Sequence, residues 1–208
     1  MSATTPGELR ARNLRTLAAL AALFLLPLAI AFATYYGTGW RPRTRVNHGQ
    51  LFTPARPLPA VALPSVGGNG MAPDRTPGPA ARGFRKRWSL VYVGTGNCDA
   101  DCHEALYVMR QTRLALNNDM ARVVRVFLVS AACCDRAFLA REHAGLEVLD
   151  ASVPEAKPLL AQFSAAGREH TLFIVDPLGN LMMSYDARTN PRGLLEDLNK
   201  LLALSHIG

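Results

Sequence analysis

The sequence predicts an α/β domain, a central sheet covered by helices, standing behind one N-terminal membrane helix. Three observations predict it. Residues 16–35, TLAALAALFLLPLAIAFATY, are an uncharged apolar run. Residues 53–83, TPARPLPAVALPSVGGNGMAPDRTPGPAARG, are rich in proline and glycine and keep no helical or strand period. From Trp88 onward, short β-rich apolar runs alternate with helical patterns, the order that lays helices over a sheet. The boundaries that follow are a flank at 1–15, an anchor at 16–36, a tether at 37–85 and a folded domain at 86–208.

The apolar run is long enough to cross a hydrocarbon core at about 1.5 Å per residue. A buried globular helix of that length would carry a polar face, and this one has none. Pro27 is tolerated within a membrane helix, and Tyr35, Tyr36 and Trp40 fall where an interfacial aromatic belt sits. Ala31-Phe32-Ala33 resembles a small-x-small cleavage site, so a removed signal peptide is the alternative to a retained anchor. Arg10, Arg12 and Arg15 precede the run and Arg41, Arg43 and Arg45 follow it, which leaves the positive-inside rule close to a tie. Either export route carries the C-terminal part out of the cytoplasm. The expected location is the inner (cytoplasmic) membrane, single-pass, with the domain in the periplasm, where disulfides persist.

The tether gives the domain reach along the membrane surface, and within it NHGQLFTPARPLP, residues 47–59, has enough apolar content to pack on the domain edge. The net charge is +7, but the arginines are scattered and no basic stripe interleaves with aromatics, so nucleic acid is not an expected partner.

The domain reads as follows. WSLVYVG, from Trp88, is a buried strand. DCHEALYVMRQTRLALNND sets Ala105, Leu106, Val108, Met109, Leu114 and Leu116 near helical spacing. ARVVRVFLVS is a second strand, a short helical stretch ends over Arg141 to Gly145, and GLEVLDAS is extended. PEAKPLLAQFSAAG is a helix closed by Gly167. HTLFIVDPLGNLMMSYDA is a hairpin turned at Asp176-Pro177-Leu178-Gly179. NPRGLLEDLNKLLALS is the last helix, with Asn190 as N-cap and Pro191 in the first position.

Cys98 and Cys102 fall on the loop between the first strand and the first helix. At positions i and i+4 of a helix two side chains share a face, with Cα atoms about 6 Å apart, within reach of a disulfide. A helix N-terminus favours a thiolate, and two thiolates suit a soft ion such as Cu(I). The pair is therefore a redox couple, a soft-metal site or an inert staple, although a staple closing so short a loop removes little chain entropy. A zinc site would need four ligands, two beyond the cysteines from His103 and a distant histidine, and Asp99 and Asp101 do not suit a closed thiolate site. Thr95 matches part of a peroxidatic-cysteine motif, but Val91 stands where that motif has proline.

WSLVYVGTGNCDADCHEALYVMRQTRLALNN and EHTLFIVDPLGNLMMSYD together resemble the Sco/SenC family, membrane-anchored thioredoxin-fold proteins of cytochrome oxidase assembly. The resemblance spans residues 86–205 and marks a divergent member, with His103 where the family usually has proline, Asn97 where it often has histidine, and SAACCDRAF in place of an acid-rich loop. It implies a thioredoxin-like fold with a central mixed sheet flanked by helices. It also implies Cys98 and Cys102 as catalytic pair and, with His170, as ligands of copper. The implied partner is the copper-receiving subunit of a terminal oxidase or another thiol protein. Two other functions use the same fold: a metal-free thiol–disulfide oxidoreductase, and a catalytically silent assembly factor that only docks.

Cys133 and Cys134, near the end of a strand, are expected as small core residues, with thiol exchange as the alternative. His103 is expected on a helix surface, His48, His143 and His206 in solvent, and Met182-Met183 in hairpin packing.

Overall fold

The computed structural model describes residues 6–37, 46–66, 83–132, 134–163 and 168–207. The chain divides into two compact units, Met1–Arg45 and Val46–Gly208. The expectations for Trp40, Arg41, Arg43, Arg45, Cys133 and Gly167 fall outside the described residues.

Among the described residues, the first unit is one helix, α1 (Pro6–Gly37), which runs on through Pro27. Its stretch Arg12–Gly37 is long and apolar enough to cross a membrane. Leu17, Phe24, Leu28 and Phe32 are exposed along it, the distribution a lipid-facing helix requires. The Thr16 and Thr34 hydroxyls donate back to the carbonyls of Arg12 and Ile30 at 3.0 and 2.9 Å, which satisfies them without water.

The second unit is built on six strands: β1 (Gln50–Pro57), β2 (Trp88–Gly94), β3 (Val123–Val129), β4 (Leu146–Asp150), β5 (Thr171–Val175) and β6 (Asn180–Asp186). Their order across the sheet is β1-β6-β5-β2-β3-β4. Strands β2, β3 and β4 are mutually parallel, whereas β5 and β6 form an antiparallel hairpin beside β2, so the sheet is mixed as expected. The helices are α2 (Ala100–Ala115), α3 (Arg136–Glu142), α4 (Lys157–Leu160) and α5 (Pro191–Leu204).

Every residue of β2 and β3 is buried, because both faces of the sheet are covered. Leu90, Tyr92, Phe127 and Ile174 join Leu106 and Met109 of α2 and Leu198 of α5 on one face. Val91, Val93, Phe173 and Val175 join Leu159 and Phe163 on the other. The alternation along each strand divides it between these two cores.

Three elements differ from the sequence expectation. Helix α2 stops at Ala115, since Asn117 takes a left-handed φ of +50° and a 3-10 turn, Asn117–Arg122, follows. The helix expected over residues 154–167 is a 3-10 turn, Pro154–Ala156, joined to the four-residue α4. Pro154 and Pro158 supply no N–H, and the Arg168 guanidinium takes up the carbonyls of Leu160 and Phe163 at 3.4 and 2.9 Å, so no further helical turn is needed to satisfy them.

The third difference lies within the expected tether, of which 38–45 and 67–82 fall outside the described residues and 47–59 packs on the domain edge as its apolar content suggests. Residues 46–66 are part of the folded unit. Strand β1 forms the sheet edge against β6, pairing Gln50 with Ser184 and Pro57 with Asn180 around an irregularity between Leu51 and Arg56. At the opposite edge the Val66 amide donates to Val148 at 2.9 Å and the Asp150 amide donates to Pro64 at 2.8 Å. Prolines that erase the strand period in the sequence are tolerated on an edge, where one row of N–H groups has no partner to lose.

The segment enters under a buried carboxylate. Asp197 of α5 accepts the His48 amide at 2.6 Å, the Gly49 amide at 3.1 Å and the Tyr185 hydroxyl at 2.7 Å. Burial, then Asp197, drive the Tyr185 phenol pKa upward. A Cβ on Gly49 would lie 2.3 Å from the Tyr185 ring, so only glycine lets the chain pass. His48 is exposed, as expected, and pairs at the surface with Glu196 at 2.9 Å. Asp197→Ala should strand two amides and a phenol and lower folding stability by about 3 kcal/mol. A urea midpoint unchanged at constant slope would show that the segment is not held this way.

Candidate functional site

The loop after β2 and the first turn of α2 carry the cysteines. Asp99 caps α2 by accepting the Cys102 amide at 3.0 Å, as Ser, Thr, Asp and Asn do at helix starts. Cys98 stands just before the cap and Cys102 within the first turn. They are joined in a disulfide with Cα atoms 5.0 Å apart. Cys102 is 2% exposed within the core beside Ala105 and Leu106, whereas Cys98 is half-buried at its edge. Of the two, Cys98 is therefore the residue nearer the surface.

Strand register brings His170 to the same end of the sheet. Tyr92 pairs with Leu172 across the antiparallel β2–β5 contact, so the start of β5 lies beside the end of β2. His170 closes a 3-10 turn, Arg168–His170, that packs against α2 and β2. The Tyr92 hydroxyl donates to the Glu169 carbonyl at 2.7 Å and ties that turn to the strand feeding the cysteine loop. The Tyr92 ring is 1% exposed against Phe127, and burial, then Asp99, Asp101 and Glu169, raise its pKa. A Cβ on Gly94 would come within 2.8 Å of that ring.

The imidazole of His170 is only 20% exposed and lies with Nε2 3.6 Å from Oδ2 of Asp186. The Ala187 amide donates to the His170 carbonyl at 2.8 Å and fixes the turn against the end of β6. Asp186 also accepts the Arg188 amide at 2.9 Å, and Nη1 of Arg188 reaches Oδ1 of Asp101, in the first turn of α2, at 3.8 Å. Partial burial pushes the Asp186 carboxyl up, but the Arg188 hydrogen bonds and the nearby His170 outweigh it and hold its pKa below the usual carboxylate value.

The sulfurs bonded to each other are not thiolates and offer no anionic ligand. Among the described residues no group of three or more His, Cys, Asp or Glu side chains is arranged to hold a metal ion. In this oxidised form the arrangement is that of a dithiol–disulfide couple with an imidazole on the adjoining turn.

Other singled-out residues divide. Cys134 is itself disulfide-bonded and half-buried against the core, so it is not the free core thiol expected. His103 is exposed on α2, its ring 4.3 Å from that of Phe138, and His206 is exposed. His143 is 4% exposed rather than solvated. Burial, then the cations of Arg110 and Arg125, lower its pKa to about 4. Arg125 is buried under the same loop, donates to the Ala144 carbonyl at 2.5 Å, and has its pKa lowered to about 10 by burial and by Arg113 and Arg110. Met183 is in the core and Met182 packs on it. Tyr92, Asp186 and Arg188 had no signal in the sequence, because the pairing of β5 with β2 and β6 is what makes them neighbours of the cysteine and histidine elements.

A mixed sheet with a cysteine disulfide at the head of the helix that follows a central strand defines a thioredoxin-like domain. The chain belongs to the family described as the transmembrane-like, thioredoxin-like C-terminal domain, whose model matches residues 88–205. Among solved structures it is similar to the apo Sco1 protein of Thermus thermophilus, at 18% identity and TM-score 0.51, covering 79% of this chain and 100% of that one. It is similar to yeast Sco1, at 14% identity and TM-score 0.52, over 59% of this chain and 83% of that one. The copper-bound yeast Sco1 matches at 14% identity and TM-score 0.51, over 58% and 81%. At these identities the likeness is one of fold. No curated protein matches the chain in sequence.

Proposed function

We propose that the protein is a membrane-anchored dithiol–disulfide module of the periplasmic face, whose reduced Cys98–Cys102 pair holds Cu(I) together with His170 and delivers it to the copper centre of a terminal oxidase. The observation that carries the redox half is the Cys98–Cys102 disulfide with one cysteine half-buried and one buried. The copper half is supported by the placement of the His170 turn against the cysteine helix and by the copper-bound Sco1 of like fold. Two thiolates and a neutral imidazole form a soft donor set suited to Cu(I), which is cargo here.

The redox step balances as ordinary exchange. The Cys98 thiolate attacks a partner disulfide and expels one partner thiolate, and the Cys102 thiolate then attacks Cys98 and expels the other. Two electrons pass to the partner, and its two thiolates take up two protons. Forming the disulfide removes both sulfur ligands, so oxidation and release of the ion go together. The second reading is metal-free exchange, and what favours it is that Cys98 and Cys102 stand joined as a disulfide, the form in which neither sulfur is a ligand.

The test uses the full chain in detergent. His170→Ala should weaken Cu(I) binding, measured against a competing chelator, by more than the roughly 10- to 100-fold that loss of an outer-shell partner costs. Thiol counting should still find the pair fully reducible and reoxidisable. Copper affinity equal to that of the wild type would remove His170 from the site and leave metal-free exchange.

A further inference from the structure

The His170 imidazole faces, on one side, a group that the thiol chemistry does not use. Thr171 pairs with Asp186 across the β5–β6 hairpin, which brings the Asp186 carboxylate alongside the residue before Thr171. Nε2 of His170 and Oδ2 of Asp186 are 3.6 Å apart. Asp186 is itself braced: its Oδ1 accepts the Arg188 amide at 2.9 Å and Nε at 3.4 Å, and its Oδ2 faces Nη2 at 3.4 Å. Arg188 then extends to Asp101 at 3.8 Å, one residue before Cys102. A continuous polar chain thus runs from the imidazole through Asp186 and Arg188 to the turn that carries the buried cysteine.

We propose that Asp186 is the positioning residue for His170, fixing the imidazole with Nε2–H turned to the carboxylate so that Nδ1 is the ring nitrogen left for a ligand, and that Arg188 keeps this carboxylate in register with the cysteine turn. A carboxylate that accepts the second N–H of a histidine fixes its tautomer and ring orientation and makes the other nitrogen a better ligand. Asp101 is the only acidic residue in the first turn of α2, which gives Arg188 its anchor there. The inference rests on the reading of His170 as a ligand, and the first arm of its test does not depend on copper.

In the reduced, metal-free full chain labelled with 15N-histidine, long-range proton–nitrogen correlation spectra should show His170 as the Nε2–H tautomer, its signals assigned by their loss in His170→Ala. Asp186→Ala should abolish that preference and weaken Cu(I) binding about tenfold, and Asp186→Asn, which keeps an acceptor oxygen in place, should recover most of both. Arg188→Ala should reproduce a smaller version of the Asp186→Ala change. A wild-type His170 with its proton on Nδ1, or an unaltered tautomer in Asp186→Ala, would overturn the proposal. If His170→Ala binds Cu(I) as tightly as the wild type, the ligand reading fails, while the tautomer spectra still decide whether Asp186 sets the ring.

Discussion

A Cys102→Ser chain is expected to react rapidly through Cys98 with an aromatic disulfide reagent and to stay trapped as the mixed disulfide. A Cys98→Ser chain is expected to react roughly tenfold more slowly or worse. The difference follows from access. Cys98 is half-buried before the helix cap, whereas Cys102 is 2% exposed among core side chains. Exchange requires the attacking sulfur to approach along the S–S axis, so a sulfur within the core cannot start it. Trapping follows because the second attack, which would free the product, is the one the serine cannot make. Stopped-flow release of the reagent's thiolate gives the rates, and mass spectrometry gives the adduct. Equal rates for the two variants would assign the opening attack to neither sulfur in particular and remove the ordered exchange proposed above.

Acidification should destabilise the folded unit between about pH 6.5 and pH 4, and His143 should account for most of that loss. The folded-state pKa is lowered from 6.5 to about 4, chiefly by burial and then by Arg110 and Arg125, against a smaller opposing pull from Glu142 and a further lowering by His103. A histidine with a depressed folded pKa stays neutral while the unfolded chain takes up a proton. Its stabilising contribution is therefore complete above the unfolded pKa and lost as pH falls through the folded one. At about 1.4 kcal/mol per unit, the loss approaches 3 kcal/mol. Glu142 and Asp150, whose carboxyls sit below their ordinary values because of hydrogen bonds from Arg141 and from Ser152, lose their contributions only at lower pH. The window above about pH 4.5, the ordinary value for Glu142, thus isolates His143. Urea denaturation at pH 7 and pH 4.5 should show the drop in the wild type and little of it in His143→Leu. An equal drop in both would show that the imidazole is not what resists protonation.

Much of this architecture was legible before any coordinates. The strand at Trp88–Gly94 stands out because seven residues buried on both faces leave a β-rich run interrupted only by Ser89. The last helix was marked at its start by Asn190, which accepts the Gly193 amide at 2.8 Å, and by Pro191 in the position where a missing N–H costs nothing. The hairpin turn was marked by Asp176, whose carboxylate accepts the amides of Leu178 and Asn180 at 3.0 and 2.8 Å, and by Gly179 at φ +89°. Local hydrogen bonds write such signals into neighbouring residues. The edge strand Gln50–Pro57 left no such mark, because its pairing partner lies far along the chain and its prolines conceal the period.

The sequence by itself determined the apolar helix, the alternation of strands and helices, and the placing of Cys98 and Cys102 within one helical turn of each other, since each of these depends on residues close together in the chain. Tertiary structure alone decided that Cys98 is the outer cysteine and Cys102 the buried one, that His143 lies inside and His48 pairs with Glu196, and that Asp186 stands beside His170. Burial and cross-strand neighbours depend on which distant elements close over a residue and in what register. A two-residue slip in the β5–β6 pairing would keep every apolar side chain on its own face and still part Asp186 from His170. Local composition carries no record of that choice.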